Sequence, residues 1–199
     1  LNYYDKNTVE FAGQTVSIDM HDLYALFINQ LPQRDTQSIL DVGCGSGRDA
    51  SYFAKQGYDV TAIDASAGLI QWAQKHHMSS RISWVNLDFS SIEKQSWKNK
   101  FTGIWACASL LHVPFLELPF VIESLLETLT DDGVMYLSFK YGEGERVDEE
   151  RFFCDMNESR WKAIVAKIPQ VIEYKIWLSA DKRSGIKNNW FNITIKKTD

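Results

Sequence analysis

The chain of 199 residues lacks several features that would steer its reading. No apolar run approaches the roughly 18 residues needed to span a membrane, so no transmembrane segment is expected. There are only three cysteines, Cys44, Cys107 and Cys154, and none lies near another. An odd and scattered set argues against a disulfide framework and against a zinc site. There is no basic excess: the formal net charge is −5, so nothing overall draws the chain to nucleic acid, although a local basic patch stays open. The segment 1–6 has no signal-peptide pattern, and with the cysteine usage this sets the expectation of a cytoplasmic protein. An initiator Met is missing too, which leaves room for a few residues before Leu1. What is present is ordinary for a soluble globular chain, with 45% hydrophobic and 24% charged residues. The length suits one domain with a full core.

The most informative stretch is Ile39-Leu40-Asp41-Val42-Gly43-Cys44-Gly45-Ser46-Gly47-Arg48. An apolar run ends in an acid, glycines follow at every second position, and a helical pattern begins at once. This predicts the first strand of an open α/β sheet turning into its first helix. Glycine lets the backbone turn tightly and approach a ligand closely. The helix N-terminus behind it offers free N–H groups and a positive dipole end.

The rest of the chain supports that frame. Residues 2–18 are polar, with no clear period. Met20, Leu23, Tyr24, Phe27 and Leu31 form one helical face, with Asp19 as cap and Pro32 as stop. After the loop, Ala50, Phe53 and Ala54 mark a short helix stopped by Gly57. Residues 59–64 are a second strand ending in Asp64, and Ser66 caps a helix with Leu69, Trp72, Ala73 and His76 on one face. Residues 81–88 are a third strand ending in Asp88. Acids thus close three successive strands, the mark of βαβ units whose strand ends line one edge of a sheet. An acid at Asp64 can accept both hydroxyls of a ribose. Residues 101–109 are a fourth strand. Pro119 opens a helix with Ile122, Leu125, Leu126 and Leu129 on its face, and 130–133 turn into a fifth strand over 133–139. Residues 140–146 read as a flexible charged loop. Asn157 caps a helix bearing Trp161, Ile164, Val165 and Ile168. Strands over 171–179 and 190–196 close the chain, the second alternating Phe191, Ile193 and Ile195 with polar residues, a half-buried pattern. Their short link around Ser184-Gly185 suits an antiparallel pair. His76 and His77 are adjacent, diverge on a helix, and read as surface residues; no metal site is expected.

The run from Asp41 to Gly47 resembles the first motif of the class I S-adenosylmethionine-dependent methyltransferases, (D/E)-x-G-x-G-x-G. A dinucleotide loop reads G-x-G-x-x-G, and here the third glycine comes one residue early. The resemblance extends over nearly the whole chain. It implies a Rossmann-like α/β fold, doubly wound around a seven-stranded sheet. The sheet is mostly parallel, with strand seven antiparallel and the order 3-2-1-4-5-7-6. It implies one methyltransferase domain over 1–199, with 1–36 an N-terminal helical extension serving as a lid. S-adenosyl-L-methionine is the implied cofactor. Its implied contacts are Asp41, Gly43, Cys44, Gly45, Gly47 and Arg48 at the loop and Asp64, Ala65, Ser66 and Leu69 after the second strand. Asp88 at the adenine amino group, Phe89 over the ring, and Cys107 and Ala108 after the fourth strand complete the set. His112 stands between cofactor and substrate and is a candidate general base, since imidazole takes a proton near neutral pH; the plain alternative is a His bonded to a loop carbonyl. Tyr4, Lys140, Tyr141 and Arg183 are candidate acceptor contacts. The runs 108–114 and 138–142 are similar to a bacterial group related to tellurite-resistance and ubiquinone/menaquinone methyltransferases, mostly of undefined substrate.

Missing motifs narrow the acceptor. No N-P-P-Y-like stretch and no Pro-Cys pair follows the fourth strand, which disfavours nucleic-acid methylation; Cys107 then reads as core packing. A small-molecule acceptor is expected, without nucleic acid or membrane, on a monomer or homodimer. Arg48, Lys140, Arg146, Arg151, Lys182 and Arg183 sit in loops at the strand ends, so convergence of several would make the acceptor anionic. Tyr4, Tyr141, Phe152, Phe153, Trp177 and Trp190 can wall an apolar pocket or simply pack. Competing readings are an NAD(P)-dependent reductase, a binding protein that holds the sulfur cofactor without turnover, and a methyltransferase of RNA or protein.

Overall fold

A computed structural model describes residues 2–169, 171, 173–183 and 188–197. Seven strands form one sheet in the order β3-β2-β1-β4-β5-β9-β8. The ranges are β1 Ser38–Val42, β2 Asp59–Asp64, β3 Ile82–Asn86, β4 Phe101–Ala106, β5 Leu129–Lys140, β8 Glu173–Ala180 and β9 Asn189–Lys196. Neighbours from β3 to β5 pair in parallel, and β9 runs antiparallel to both β5 and β8. The expected order with an inserted antiparallel strand is therefore the one found, β9 being the last in sequence. The link carrying Ser184-Gly185 lies outside the described residues.

Helices cover both faces, as a sheet apolar on both sides requires. On one face, α3 (His21–Ile28) and α4 (Arg48–Lys55) pack Phe27 and Phe53 against Ile39, Trp105 and Tyr136. On the other, α6 (Leu118–Thr128) and α7 (Glu158–Val165) pack Ile122, Leu125, Trp161 and Ile164 against Leu40, Ile104, Leu137 and Ile193. Gly103 lets α3 lie close on β4, since a Cβ there would meet Phe27 at 2.8 Å and Leu31 at 2.9 Å. Along α5 (Ala67–His76) the buried residues are Leu69, Ile70 and Ala73, while Trp72 stacks on the exposed His76 at 3.8 Å. Trp72 and His76 therefore pair with each other instead of facing the core. Asp19 accepts the N–H of His21, but the α3 cap position is Met20.

Other expectations need correction. Residues 2–18 form two helices, α1 (Asn2–Lys6) and α2 (Thr8–Thr15), that pack against α5. The turn expected at 130–133 lies inside β5, where the register shifts as Phe101 pairs with Leu129 and Gly103 with Val134. The charged loop is an antiparallel hairpin, β6 (Glu145–Asp148) and β7 (Arg151–Cys154). The centre of β9 is not half-buried: Asn192 and Thr194 are enclosed too, Asn192 at 0% exposure accepting the Tyr136 hydroxyl at 2.8 Å, and only the end residues Asn189 and Lys196 are exposed. Among the described residues no helix is long and apolar enough to cross a membrane, and no cluster of metal-ligating side chains occurs.

Candidate functional site

The C-terminal ends of β1, β4 and β5 open on a cavity of about 240 Å³. Ligands in open α/β sheets bind at this edge, where the strand order reverses. The glycine loop forms one part of the wall. Gly43, Gly45 and Gly47 have φ of 72°, 54° and 75°, a region that side chains disfavour. A Cβ on Gly43 would stand 2.4 Å from the Ser109 Cβ, and one on Gly47 2.6 Å from the Trp84 ring. The loop is tied to β2: Gly43 N–H and Cys44 N–H both donate to the Ile63 carbonyl. Asp64 bridges the next turn, its carboxylate accepting Gly45 N–H at 2.9 Å and Ser66 N–H at 2.8 Å. Ser66 caps α5 by accepting Leu69 N–H. His77 is not a plain surface residue, because its Nε2 bonds the Ser46 carbonyl at 2.9 Å from beneath the loop.

Asp41 is 2% exposed, and one carboxylate oxygen has no hydrogen-bond partner. Burial, with the neighbouring Asp49 charge second, pushes its carboxyl well above the usual range. Asp49 behaves oppositely. Burial alone would raise it, but the Arg48 guanidinium and hydrogen bonds from the Tyr24 hydroxyl (2.5 Å) and Trp105 Nε1 (2.8 Å) outweigh burial and hold it low. Arg48 grips Asp49 with two nitrogens at 2.5 and 3.0 Å and donates a third hydrogen bond to the Thr15 carbonyl of α2. Arg48 is thus a fixed floor of the cavity. Asp49, which sequence reasoning passed over, is what fixes it; its place directly after Arg48 in the loop was the available signal.

The opposite wall is built from distant segments. The Tyr4 hydroxyl of α1 lies 2.7 Å from His112 Nε2, and His112 Nδ1 lies 2.6 Å from the Phe152 carbonyl of β7. A carbonyl only accepts, so Nδ1 carries the proton and Tyr4 donates to Nε2. Burial, then Arg151 and Lys140, depress His112 to about 4, so its ring is neutral at neutral pH. Burial raises the Tyr4 phenol to about 12. The expected carbonyl bond is thus present, to Phe152 of β7, and the same histidine lines the cavity. Phe11 of α2 lies on the glycine loop, 3.3 Å from where a Gly45 Cβ would be. Asp5 of α1 reaches α5, accepting the Ser66 hydroxyl at 2.6 Å and Gly68 N–H at 3.0 Å.

The other predicted residues divide. Gly43, Cys44, Gly45, Arg48, Cys107, Ala108, Tyr4, His112, Lys140 and Arg183 line the cavity. Asp64, Ala65, Ser66, Leu69, Asp88 and Phe89 do not; they sit along the ends of β2 and β3 beside the loop. Asp88 is exposed and caps a short 3-10 turn by accepting from Ser90. Cys107 is a neutral thiol that burial pushes up to about 12, near the Ser138 hydroxyl at 3.7 Å. Ala108 holds φ of 53° and donates its N–H to Ser138. Tyr141 is not brought to the cavity: it is 43% exposed and stacks near Phe191. Arg183 is clamped by Asp181 at 2.6 and 3.0 Å, and Trp190 donates to the same carboxylate.

Comparison with known proteins agrees with this geometry. Residues 39–133 match the family model described as a methyltransferase domain. The ubiquinone biosynthesis O-methyltransferase of Pasteurella multocida is 29% identical over 136 residues, 60% of this chain and 54% of the relative. The chain spans about half the length of the curated relatives it matches. The 1,6-didemethyltoxoflavin-N1-methyltransferase of Burkholderia thailandensis, solved with its substrate and S-adenosylhomocysteine, superposes with a TM-score of 0.73 at 20% identity, covering 100% of this chain and 87% of that one. The phosphoethanolamine N-methyltransferase 2 of Haemonchus contortus, solved with phosphomonomethylethanolamine and S-adenosylhomocysteine, gives 0.75 at 15% identity, covering 100% and 58%. In its strand order, its glycine loop and the match of residues 39–133 to a methyltransferase domain, the chain is similar to the class I S-adenosylmethionine-dependent methyltransferases.

Proposed function

We propose that this chain transfers a methyl group from S-adenosylmethionine to a small anionic acceptor held in the cavity between the glycine loop and the hairpin. The observation that carries the reading is the pairing of that loop, bridged by Asp64, with a wall that offers proton-handling groups across the same cavity. The residues fit the cofactor: Asp41 has a buried oxygen in want of a donor, and Asp64 keeps acceptor capacity beyond its two amides. Asp41 and Asp64 are the acids for its ammonium and its ribose hydroxyls. Bound there, S-adenosylmethionine supplies a methyl group activated by its sulfonium.

The protein's own contribution is positioning and exclusion of water. Arg48, fixed by Asp49, and Phe11, lying on Gly45, set the size of the space over the loop. The Tyr4 hydroxyl donates a hydrogen bond to His112 Nε2 while Arg151 faces its oxygen, so one lone pair is left to accept a proton from an acceptor group. A proton arriving at Tyr4 moves the phenol's own proton onto Nε2, and the Phe152 carbonyl steadies the resulting imidazolium through Nδ1–H. A ring depressed to about 4 is a weak base, so holding Tyr4 in place is the larger part of its work.

Calorimetric titration with S-adenosylmethionine, S-adenosylhomocysteine and NADH tests the reading. Micromolar binding of the two sulfur compounds and none of NADH is expected. Asp64→Ala should weaken that binding at least about tenfold, because hydrogen bonds to a charged group are lost. NADH binding in the absence of binding by either sulfur compound would replace this reading with a reductase.

A further inference from the structure

We propose that Lys140 and Arg151, both drawn against the Phe153 ring, form the seat for a carboxylate or phosphate group of the methyl acceptor. The inference rests on the methyl-transfer reading and names the part of the cavity that selects the acceptor.

The cations around the cavity are matched unequally. Arg48, Lys140, Arg151, Lys182 and Arg183 all line it, in a chain whose net charge is −5. Arg48 is held by Asp49, Arg183 by Asp181, and Lys182 by Asp22 at 3.0 Å. Lys140 has no carboxylate within ion-pair distance among the described residues. Among the described residues Arg151 ion-pairs only with Glu149, at 3.0 Å and 69% exposed; its guanidinium also lies 4.6 Å from the Tyr3 ring, and its Nε–H is buried without a partner. A pair with so exposed a carboxylate is largely screened and contributes little.

The two unmatched cations are crowded together. The Lys140 ammonium lies 4.0 Å from the centre of the Phe153 ring, and the Arg151 guanidinium 5.3 Å from it. Arg146 contacts the same ring at 4.6 Å, but Asp155 and Asp148 neutralise it and it does not line the cavity. Burial, and then the charges of Arg146, Arg151 and Arg183, outweigh the Asp155 carboxylate and press the Lys140 ammonium below its ordinary range. Like charges gathered in a half-buried place repel strongly unless something offsets them. Ring contacts offset part. An anion within reach of both offsets the rest, taking charge-assisted hydrogen bonds from the ammonium and from the guanidinium. It would also cancel the positive field that Arg151 and Lys140 exert on His112, making that ring a better proton acceptor when acceptor is present.

The test uses the full chain saturated with S-adenosylhomocysteine. Three probes are titrated calorimetrically: benzoate, its neutral counterpart benzamide, and inorganic phosphate. Benzoate or phosphate should bind, and benzamide at least about tenfold more weakly, since a charge-assisted contact is missing. Lys140→Ala and Arg151→Ala should each weaken the anion about tenfold or more, whereas Lys140→Arg should keep most of the affinity. Arg81→Ala, which removes a cation paired with Asp59 outside the cavity, should change nothing. Binding of benzoate without phosphate, or the reverse, says which anion the seat takes. Equal binding of benzoate and benzamide, no binding of either anion to the complex, or anion binding unaffected by both alanine variants would overturn the seat while leaving methyl transfer standing. Failure of S-adenosylhomocysteine itself to bind would overturn methyl transfer, and the seat with it.

Discussion

Beside the glycine loop the cavity wall is main chain, whereas beside the hairpin it is side chains from segments far apart in sequence. On the first side, glycines 43, 45 and 47 take positive φ, and the amides of Gly45 and Ser66 close on Asp64. On the second, Tyr4, His112 and the Phe152 carbonyl meet across 108 and 40 residues of chain. A main-chain wall is demanded by sterics and hardly tolerates substitution. A side-chain wall can be rebuilt with other residues on the same frame. The first suits a cofactor shared by many relatives, and the second an acceptor that differs among them.

The largest effect is expected on the main-chain side. Gly43→Ala places a Cβ 2.4 Å from the Ser109 Cβ at a φ of 72°. The left-handed backbone costs about 1–2 kcal/mol and the overlap a further 1–3, so a loss of roughly 2–5 kcal/mol is expected. Gly45→Ala meets only the edge of the Phe11 ring, at 3.3 Å, and should cost about the backbone penalty alone. Urea midpoints measure both. Equal losses at the two positions would mean that the cover formed by α2 is as rigid as the sheet, and the contrast would fail.

The same contrast decides what could be read from the sequence. Asp41, Asp64 and Asp88 closing three strands, and glycines at every second position between Gly43 and Gly47, are traces that backbone geometry leaves in residue type. They sufficed for the βαβ frame, and the strand order followed from the family resemblance that the loop carries. The hairpin left no such trace: Glu145–Asp148 are all exposed, and the turn at Glu149 and Glu150 carries no glycine or asparagine. The helical state of residues 2–15 was hidden as well, because its support is tertiary. Asp5 reaches the N-terminus of α5 across 61 residues, and Phe11 lies on Gly45. Lys140 and Arg183 looked alike as loop cations. Only the structure shows Arg183 clamped by Asp181 and Lys140 without a carboxylate in ion-pair contact among the described residues, because pairing between side chains leaves no pattern along the chain.

A smaller effect belongs to the side-chain wall and depends on pH. His112 is depressed to about 4, against an ordinary 6.5 in the unfolded chain, so between these values the unfolded state binds more protons. Stability therefore rises with pH across this window, and falls as acid is added from about 6.5 towards 4. The contribution lost is on the order of 3 kcal/mol. His112→Gln cannot titrate, and the difference in stability between wild type and variant should shrink or reverse as pH falls through the window. Urea unfolding at a series of pH values reads it. Parallel pH curves for the two proteins would show that the Tyr4–His112–Phe152 chain opens before the fold does.

The smallest effect sits at the hairpin turn and sharpens the comparison most. Glu149 and Glu150 both hold positive φ, 48° and 64°, a two-residue turn that asparagine and glycine adopt with far less strain. Glu149→Asn with Glu150→Gly should relieve about 1 kcal/mol, less than the full left-handed cost because glycine is looser in the unfolded chain. The exposed contact between Lys6 and Glu150 is lost as well, at little cost. Phe153 and Cys154 are buried in the main core, while β6 is exposed along its length, so the relief should appear in local opening. Amide exchange over 145–154 should slow by roughly fivefold, with the global urea midpoint nearly unchanged. The pair of substitutions also removes the exposed carboxylate from Arg151 and leaves that guanidinium to the cavity. A better-ordered hairpin and a freer Arg151 both favour an anion at the proposed seat, so benzoate or phosphate should bind more tightly to this variant. Slower exchange together with weaker anion binding would separate the two, and would mean that the strained turn aims Arg151 as well as costing stability.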